Sequence, residues 1–368
     1  MNFKFYPDES KVYDFLRFPK LLYHMESYEE SKKDYNYKNI NMDEYLDFVK
    51  KVEEKLKPFS KEIEEFYTKP FSSEHSFIDL NIKSDTILGY RDENKFLDYL
   101  LTLTEEDINK NIIYSLIINE ENQVDSNEIM KRAEEICLNK KDILSFIKEL
   151  SIDPGLKWNL FLIVEDPALY MRKYVDLMIK IYPIFEEFYK PLTKKIKDYG
   201  QYLENYLNKN GAESLEDLTY SLFNLSMIKG EIVHLLVSIT FAYSISLMPK
   251  EEESMIVFGL KIEEALKQIE EINENKTYER VQIFKNLGDK TRYEVLKRIA
   301  LGETSIKEIA NVLGVSSATI SYHINNLLTS KAIKLDRTDN KFGYIVNYGL
   351  LEKTIEDFKK DLKFPRNN

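Results

Sequence analysis

Small polar side chains are concentrated between residues 316 and 325, at spacings that place several of them on one side of a helix. Serine, threonine, tyrosine and asparagine offer hydrogen-bond donors and acceptors of a length suited to base edges and phosphate oxygens. Two cations further along the chain are suited to phosphate. The candidate DNA contacts are Ser316, Ser317, Thr319, Ser321, Tyr322, His323, Asn325, Arg337 and Lys341.

Patterns for catalysis and for metal binding are weak by comparison. The sequence lacks the phosphate-binding patterns G-x-G-x-x-G and G-x-x-x-x-G-K-[ST], the nucleophile pattern G-x-S-x-G and the zinc pattern H-E-x-x-H. Cys137 is the single cysteine, which excludes an intrachain disulfide or a multi-cysteine metal site and suits a reducing cytoplasm. We therefore predict no enzymatic activity, no catalytic residue, no cofactor and no metal.

The polar residues follow a spacing that is typical of a helix-turn-helix. Ala310 is small enough for a second helix to approach, Gly314 permits a tight turn, and Ile320 inserts an apolar side chain into the core. Ser305 begins a capping box at the first helix, and Ser316 caps the second helix. The predicted recognition helix covers residues 316–330, and its buried side consists of Ile320, Ile324, Leu327 and Leu328.

Two short segments with the pattern of β-strands follow this helix, at residues 331–337 and 342–348, with a polar turn between them. They predict a β-hairpin, or wing, whose tip at residues 336–342 carries Arg337 and Lys341. The wing would bring both cations near the backbone of DNA held by the recognition helix.

Charge is unevenly distributed along the 368 residues. Residues 278–368 hold 16 basic and 11 acidic side chains, a net charge of +5, whereas residues 1–277 hold 36 and 52, a net charge of −16. A basic C-terminal quarter on an acidic body is the pattern expected if only that quarter contacts a polyanion. Ordinary variation in surface charge is the alternative explanation.

The first 277 residues predict a mainly helical body. One helix should run from about Asn41 to Tyr67 with a kink at Pro58, and Asp166 should cap another that has proline at its first position. A third should begin at Ser214, with an apolar stripe formed by Leu215, Leu218, Leu222, Leu225, Ile232 and Leu235. The uncharged run from 232 to 249 allows a membrane span, but alternation within it favours a hairpin with strands at 239–247 and 255–259.

Two motifs in the last quarter resemble those of the ArsR family of transcriptional repressors. The segment 287–296, Leu-Gly-Asp-Lys-Thr-Arg-Tyr-Glu-Val-Leu, is similar to the family pattern L-x-D-x-T-R-x-x-[IV]-L. The segment 320–324, Ile-Ser-Tyr-His-Ile, is similar to the [IV]-S-x-H-[LI] core of the family's recognition helix. Together with the wing, the resemblance covers residues 279–349, about a fifth of the chain.

The resemblance implies a winged helix that binds operator DNA as a homodimer, with a helix after the wing in the dimer interface. That helix would present Leu350, Leu351, Thr354, Ile355 and Phe358. The resemblance also places His323 in the DNA-reading motif. The family's metal sensors use cysteine pairs, or histidines and carboxylates, and this segment has no cysteine and no second histidine, so we expect no metal sensing at those positions.

Two residues of these motifs keep alternative interpretations. His323 is a pH switch, a ligand or a phosphate contact, and a hydrogen-bonding position on the recognition helix is favoured. Arg292 either contacts phosphate or is a structural partner of Asp289.

These observations predict a mainly α protein with minor β structure. A helical N-terminal body (1–277) ends in a β-hairpin and a helix, and a winged helix-turn-helix domain (278–368) follows. We expect a cytoplasmic transcription regulator, a repressor, that binds double-stranded DNA as a homodimer and has no membrane segment. The body would dimerise or bind an unidentified small-molecule effector. A helical scaffold whose winged helix contacts other proteins is the alternative.

Overall fold

The computed structural model describes residues 1–23, 41–68, 76–82, 87–120, 126–219, 228, 230–249, 253–273, 276–303, 305–338 and 341–364. The chain is mainly α-helical with minor β structure, as predicted. It forms two compact units. The first comprises 1–29, 42–208 and 230–262, and the second comprises 30–41, 209–229 and 263–368.

The first unit contains a four-stranded sheet with the order β1-β2-β4-β3. Its strands are β1 (Asn2–Phe5), β2 (Ile232–Ser238), β3 (Ile245–Pro249) and β4 (Glu253–Gly259). β1, β2 and β4 are parallel, with Asn2 opposite Ile232 and Ile232 opposite Glu253, and β3 is antiparallel to β4.

Helices make up most of the rest of this unit. They are α1 (Pro7–Arg17), α2 (Asp43–Leu56), α3 (Ser60–Ile63), α4 (Phe77–Asn81), α5 (Glu93–Thr102), α6 (Glu105–Glu120), α7 (Ser126–Ile136), α8 (Lys140–Glu149), α9 (Pro154–Glu165), α10 (Pro167–Tyr189) and α11 (Thr193–Asn210). Short 3-10 or π turns lie at Phe18–Tyr23, Lys57–Phe59, Glu64–Thr68 and Lys190–Leu192. Aromatic rings fill much of the core between these helices, among them Phe15, Phe18, Phe66, Phe77, Tyr174 and Phe185.

Two of these helices begin or break at the residues that the sequence predicted. Asp166 caps α10 by accepting a hydrogen bond from the backbone N–H of Leu169 at 2.9 Å, with Pro167 at the first helical position. The predicted helix from Asn41 is interrupted at Pro58, where α2 gives way to a 3-10 turn, because proline has no N–H for the helical ladder.

The predicted helix from Ser214 is wrong in its second half. It is confirmed only as α12 (Ser214–Leu218), and Ile232 and Leu235 lie on strand β2 instead. Gly230 precedes that strand with a φ of +80°, a left-handed conformation that ends any continuing helix. Leu222 and Leu225 of the predicted stripe lie outside the described residues.

The predicted hairpin exists between β3 and β4, but the first strand begins at Ile245 rather than at 239. The reason is the buried carboxylate of Asp14 on α1. It accepts hydrogen bonds from Ser238 Oγ at 2.6 Å and from the backbone N–H groups of Ile239 and Thr240 at 2.8 and 3.1 Å. Burial raises the pKa of Asp14 and these hydrogen bonds lower it, and the net result is a pKa of about 6. They hold the backbone after β2 in a turn.

No helix in the described part of the chain is both long enough and apolar enough to span a membrane. The uncharged run 232–249 instead supplies strands β2 and β3.

The second unit contains the C-terminal helices and a separate two-stranded sheet. Its larger elements are α13 (Ile262–Asn273), α14 (Lys276–Leu287), α15 (Lys290–Ala300), α16 (Ile306–Leu313), α17 (Ser317–Thr329), β5 (Ile333–Thr338), β6 (Lys341–Val346) and α18 (Tyr348–Asp361). The division of the chain into domains at residues 277 and 278 stays a prediction.

Candidate nucleic-acid interface

A tight turn joins α16 to α17. Gly314 ends α16 with a φ of +68° and ψ of +31°, and Val315 donates its N–H to the carbonyl of Ala310 at 3.1 Å. A Cβ added at Gly314 would meet no atom within 4 Å. Glycine is therefore required here by backbone conformation rather than by lack of space.

Side-chain caps fix the start of both helices. Ser305 Oγ accepts a hydrogen bond from the N–H of Glu308 at 3.3 Å, and Ser316 Oγ accepts one from the N–H of Thr319 at 3.1 Å. The hydroxyls of Ser316 and Thr319 are also 2.8 Å apart. Both caps were predicted from the sequence, and they set the first turn of α17 directly after the turn at Gly314.

The apolar side of α17 packs into a core of its own within the second unit. Ile320, Ile324 and Leu327 are buried, and Leu328 is partly buried, as the sequence predicted. The other members of this core come from α15, α16, the β5–β6 sheet and the residue just before that sheet: Val295, Leu296, Ile299, Ile309, Ala310, Ala332, Ile333 and Val346. α17 is thereby held rigidly with its opposite side outward.

The outward side of α17 carries most of the predicted contacts. Ser316, Ser317, Tyr322 and Asn325 are exposed, and Thr319 and Ser321 are half-buried. Tyr322 is the largest of them and is 43% exposed. This surface is polar and uncharged, and it presents groups that both donate and accept hydrogen bonds.

His323 does not lie on this outward side of α17. Only 7% of it is exposed, and its Nδ1 is 3.9 Å from Oδ1 of Asp289, the residue that caps α15. The structure therefore places His323 between α17 and α15 rather than with Tyr322 and Asn325. Burial lowers the pKa of His323, the Asp289 carboxylate raises it, and the Arg292 guanidinium lowers it.

Arg292 has a structural role in this arrangement. Its backbone N–H donates to Asp289 Oδ1 at 2.8 Å, while its guanidinium donates from Nη1 to Oδ1 of Asn286 on α14. Asn286 in turn donates from Nδ2 to the carbonyl of Gln282 at 3.0 Å. Arg292 was predicted either to contact phosphate or to be a structural partner of Asp289. The geometry favours the structural role, because the Asp289 carboxylate accepts the hydrogen bond from the backbone N–H of Arg292.

Strands β5 and β6 form an antiparallel hairpin directly after α17. Ile333 lies opposite Val346 at its base, and Thr338 lies opposite Lys341 at its far end. Arg337, paired with Phe342, and Lys341 are therefore at the end of the hairpin that is remote from the core.

Comparison with known proteins agrees with this geometry. Residues 287–335 match the family described as "Helix-turn-helix domain". A 75-residue stretch is 27% identical to an arsenical resistance operon repressor of Staphylococcus aureus, over 20% of this chain and 72% of that protein. No solved structure matches the chain.

This segment is a helix-turn-helix regulator domain. The match and the repressor relative support a DNA-binding transcription regulator. The family match lies in the C-terminal part of the chain, at residues 287–335.

One exposed apolar face of the helix-turn-helix domain was only partly expected from the sequence. α14 and α18 are held together by Arg280, whose guanidinium lies 3.6 Å from Asp357 and 2.7 Å from Asp361. Beside this ion pair the rings of Phe284 and Phe358 are 4.9 Å apart. The surface around them, called here the α14–α18 face, consists of Val281, Phe284, Ile355, Phe358, Leu362 and Phe364.

The predicted residues of this face are distributed differently in the structure. Ile355 and Phe358 are exposed, whereas Thr354 is buried, Leu351 packs against the domain core and Leu350 is half-buried. Helix α14 was not predicted from the sequence. No ordinary amphipathic pattern marked it, because the apolar Val281 and Phe284 are exposed whereas the polar Gln282 is buried beside Ile283.

Metal ligands are not brought together in the described residues: no group of three or more His, Cys, Asp or Glu side chains there could hold an ion.

Proposed function

We propose that this protein is a sequence-specific transcription repressor that binds double-stranded DNA as a homodimer. α17, with its cap Ser316, would enter the major groove, and the β5–β6 hairpin would act as a wing on the DNA backbone. Its predicted DNA contacts are those of α17 together with Arg337 and Lys341 of the wing.

The two-sided character of α17 carries the proposal. Ile320, Ile324 and Leu327 fix one side in the core, and the opposite side presents Tyr322 and Asn325 to solvent. Exposed serine, threonine, tyrosine and asparagine side chains on a rigid helix are suited to hydrogen bonds with base edges.

The charge distribution supports the same conclusion. Residues 278–368 carry +5, while the rest of the chain carries −16. Phosphates attract the first part and repel the second, so DNA is oriented towards the helix-turn-helix domain.

The α14–α18 face supports the homodimer. It is apolar and lies on the domain that binds DNA, so pairing two copies through it would place two recognition helices on one duplex. Two-fold pairing places such helices in successive major grooves, about 34 Å apart, and mirrors the protein symmetry in a near-palindromic site.

The N-terminal body would regulate this activity. It has a core of its own, and we propose that it adds to the dimer contact or binds a small-molecule effector. The proposed function needs no catalytic centre, and we place the protein in the cytoplasm, where the single Cys137 stays reduced.

Salt dependence tests DNA binding by the full-length chain. We expect affinity for duplex DNA to fall steeply between low and high salt, because each phosphate that the protein neutralises releases counterions. Arg337→Glu and Lys341→Glu should weaken binding to all sequences alike and flatten the salt dependence. Fluorescence anisotropy with labelled duplexes measures both effects. Absence of DNA binding, or affinity that does not change with salt, would favour a scaffold that contacts proteins.

Base recognition is a separate expectation. Alanine at Thr319, Tyr322 or Asn325 should change which sequences the protein selects from a random duplex pool, since each good base contact contributes about 1–3 kcal/mol. Ala318 is the control position, because Ala318→Ser alters an exposed neighbour without removing a polar group. Unchanged selection by all three alanine variants would mean that another surface recognises the bases.

A further inference from the structure

A buried polar junction connects α17 to the beginning of α15. The imidazole of His323 is 7% exposed, and its Nδ1 is buried without a hydrogen-bond partner among the described residues. The nearest carboxylate oxygen, Asp289 Oδ1, is 3.9 Å away, which is too far for a hydrogen bond but close enough for an ionic contact.

The surroundings of His323 disfavour its protonated form in the free protein. Asp289 and Arg292 are the charged groups that face the imidazole, with opposite effects on it. The guanidinium of Arg292 is tied to Asn286 of α14, so it stays in place. With burial added, the pKa of His323 lies below its ordinary value, and the side chain is mainly neutral at neutral pH.

We infer that His323 is a positioning residue whose imidazole takes up a proton when α17 engages DNA, and that its ion pair with Asp289 then fixes α17 against α15. This inference rests on the proposed function, since it concerns the same helix. In the pairing, Nδ1–H donates to the Asp289 carboxylate, and the 3.9 Å separation shortens to hydrogen-bond distance.

The driving force is the negative potential of the phosphates. DNA bound at Tyr322, whose ring centroid is 5.4 Å from that of His323, brings that potential close to the imidazole. Asp289 is 42% exposed, and DNA that covers it would remove water that weakens its attraction for an imidazolium. Both effects favour the protonated form in the complex over the free protein.

The observable consequence is proton-linked DNA binding. Affinity should rise as pH falls through the window between the pKa of His323 in the free protein and its higher pKa in the complex. Linkage limits the rise to about tenfold per pH unit for each protomer.

The test measures affinity of the full-length protein against pH, at constant salt, for a duplex selected by the wild-type protein from a random pool. His323→Gln keeps a hydrogen-bonding side chain but cannot titrate, so the pH dependence should flatten. Asp289→Asn should flatten it as well, because asparagine caps a helix as well as aspartate does but provides no charge. Carbon-13 labelled histidine should show the pKa of His323 rising on DNA binding.

His234→Gln is the matched control. His234 is also buried and has a carboxylate neighbour, with Nε2 2.7 Å from Glu253 Oε2, but it lies on β2 of the first unit. Its variant should keep the wild-type pH dependence. Circular dichroism at each pH confirms that all variants are folded.

The outcomes separate this inference from the proposed function. Wild-type pH dependence in His323→Gln, or none in the wild-type protein, would overturn the inference and leave DNA binding intact. A changed base preference in His323→Gln with an unchanged pH dependence would make His323 a base contact instead. Failure of the wild-type protein to bind any duplex would overturn the proposed function itself.

Discussion

Replacement of Ile320 by aspartate is expected to unfold the helix-turn-helix domain and to abolish DNA binding. Ile320 is fully buried, between α16 and the rest of the domain core. Loss of its apolar burial costs about 1.5–3 kcal/mol. Burial of an unpaired carboxylate adds several kcal/mol more. Together these approach the whole stability of a small domain, about 5–15 kcal/mol.

Calorimetry and hydrogen exchange would show this loss in the full-length chain. The first unit has its own core, so amides of its sheet should stay protected while those of α15–α17 exchange freely. Ile320→Val, which removes one methylene, should cost only about 0.5–1.5 kcal/mol and keep DNA binding.

Ser317→Asp is the matched control for the introduced charge. Ser317 is exposed at the first position of α17, where an acidic side chain is favourable to the helix. This variant should fold normally and yet bind DNA poorly, because the carboxylate would face phosphate. Retention of the wild-type melting profile by Ile320→Asp would contradict the burial of this position.

The helix-turn-helix could be predicted from the sequence because its determinants are local. The cap at Ser316, the left-handed Gly314 and the spacing of Ile320 from Ile324 all lie within ten residues of one another. The β5–β6 hairpin is also local, because its two strands are close together in the sequence. Each of these features depends on residues that are close together in the sequence.

The sheet of the first unit could not be predicted in the same way. β1 is four residues long, and its partner β2 begins at Ile232, far away in sequence. A short parallel strand leaves no signal in its own residues about which strand it will join. The turn after β2 depends likewise on Asp14, which lies in α1.

The buried position of His323 could have been predicted from the helical periodicity of α17. The resemblance to the family motif was given more weight than this periodicity. Ile320, His323, Ile324 and Leu327 follow the spacing i, i+3, i+4, i+7 of one helix face, and that face is buried. The family motif instead grouped His323 with the residues that contact DNA. The spacing alone would have placed it inward.

Disruption of the α14–α18 face is expected to convert the protein to monomers and to reduce its affinity for DNA. Phe284 and Phe358 lie at the centre of this face, with rings 4.9 Å apart and partly exposed. Aspartate at both positions would bury charges in the proposed interface, where the nearby guanidinium of Arg280 is already paired with Asp357 and Asp361. A monomer engages one half-site only, so affinity for a near-palindromic duplex should fall by about 100-fold or more.

Light scattering and sedimentation of the full-length protein, free and bound to DNA, measure this effect. Leu301→Asp is the matched control, because Leu301 is 74% exposed in the same domain but does not belong to the α14–α18 face, so the variant should stay dimeric. A melting curve distinguishes loss of dimer from loss of fold, since Phe284 and Phe358 also contact each other within one chain. A wild-type protein that is monomeric in both states would contradict the homodimer. A double variant that remains dimeric would assign the contact to the N-terminal body, because the helix-turn-helix domain would then have lost its apolar pairing surface without effect.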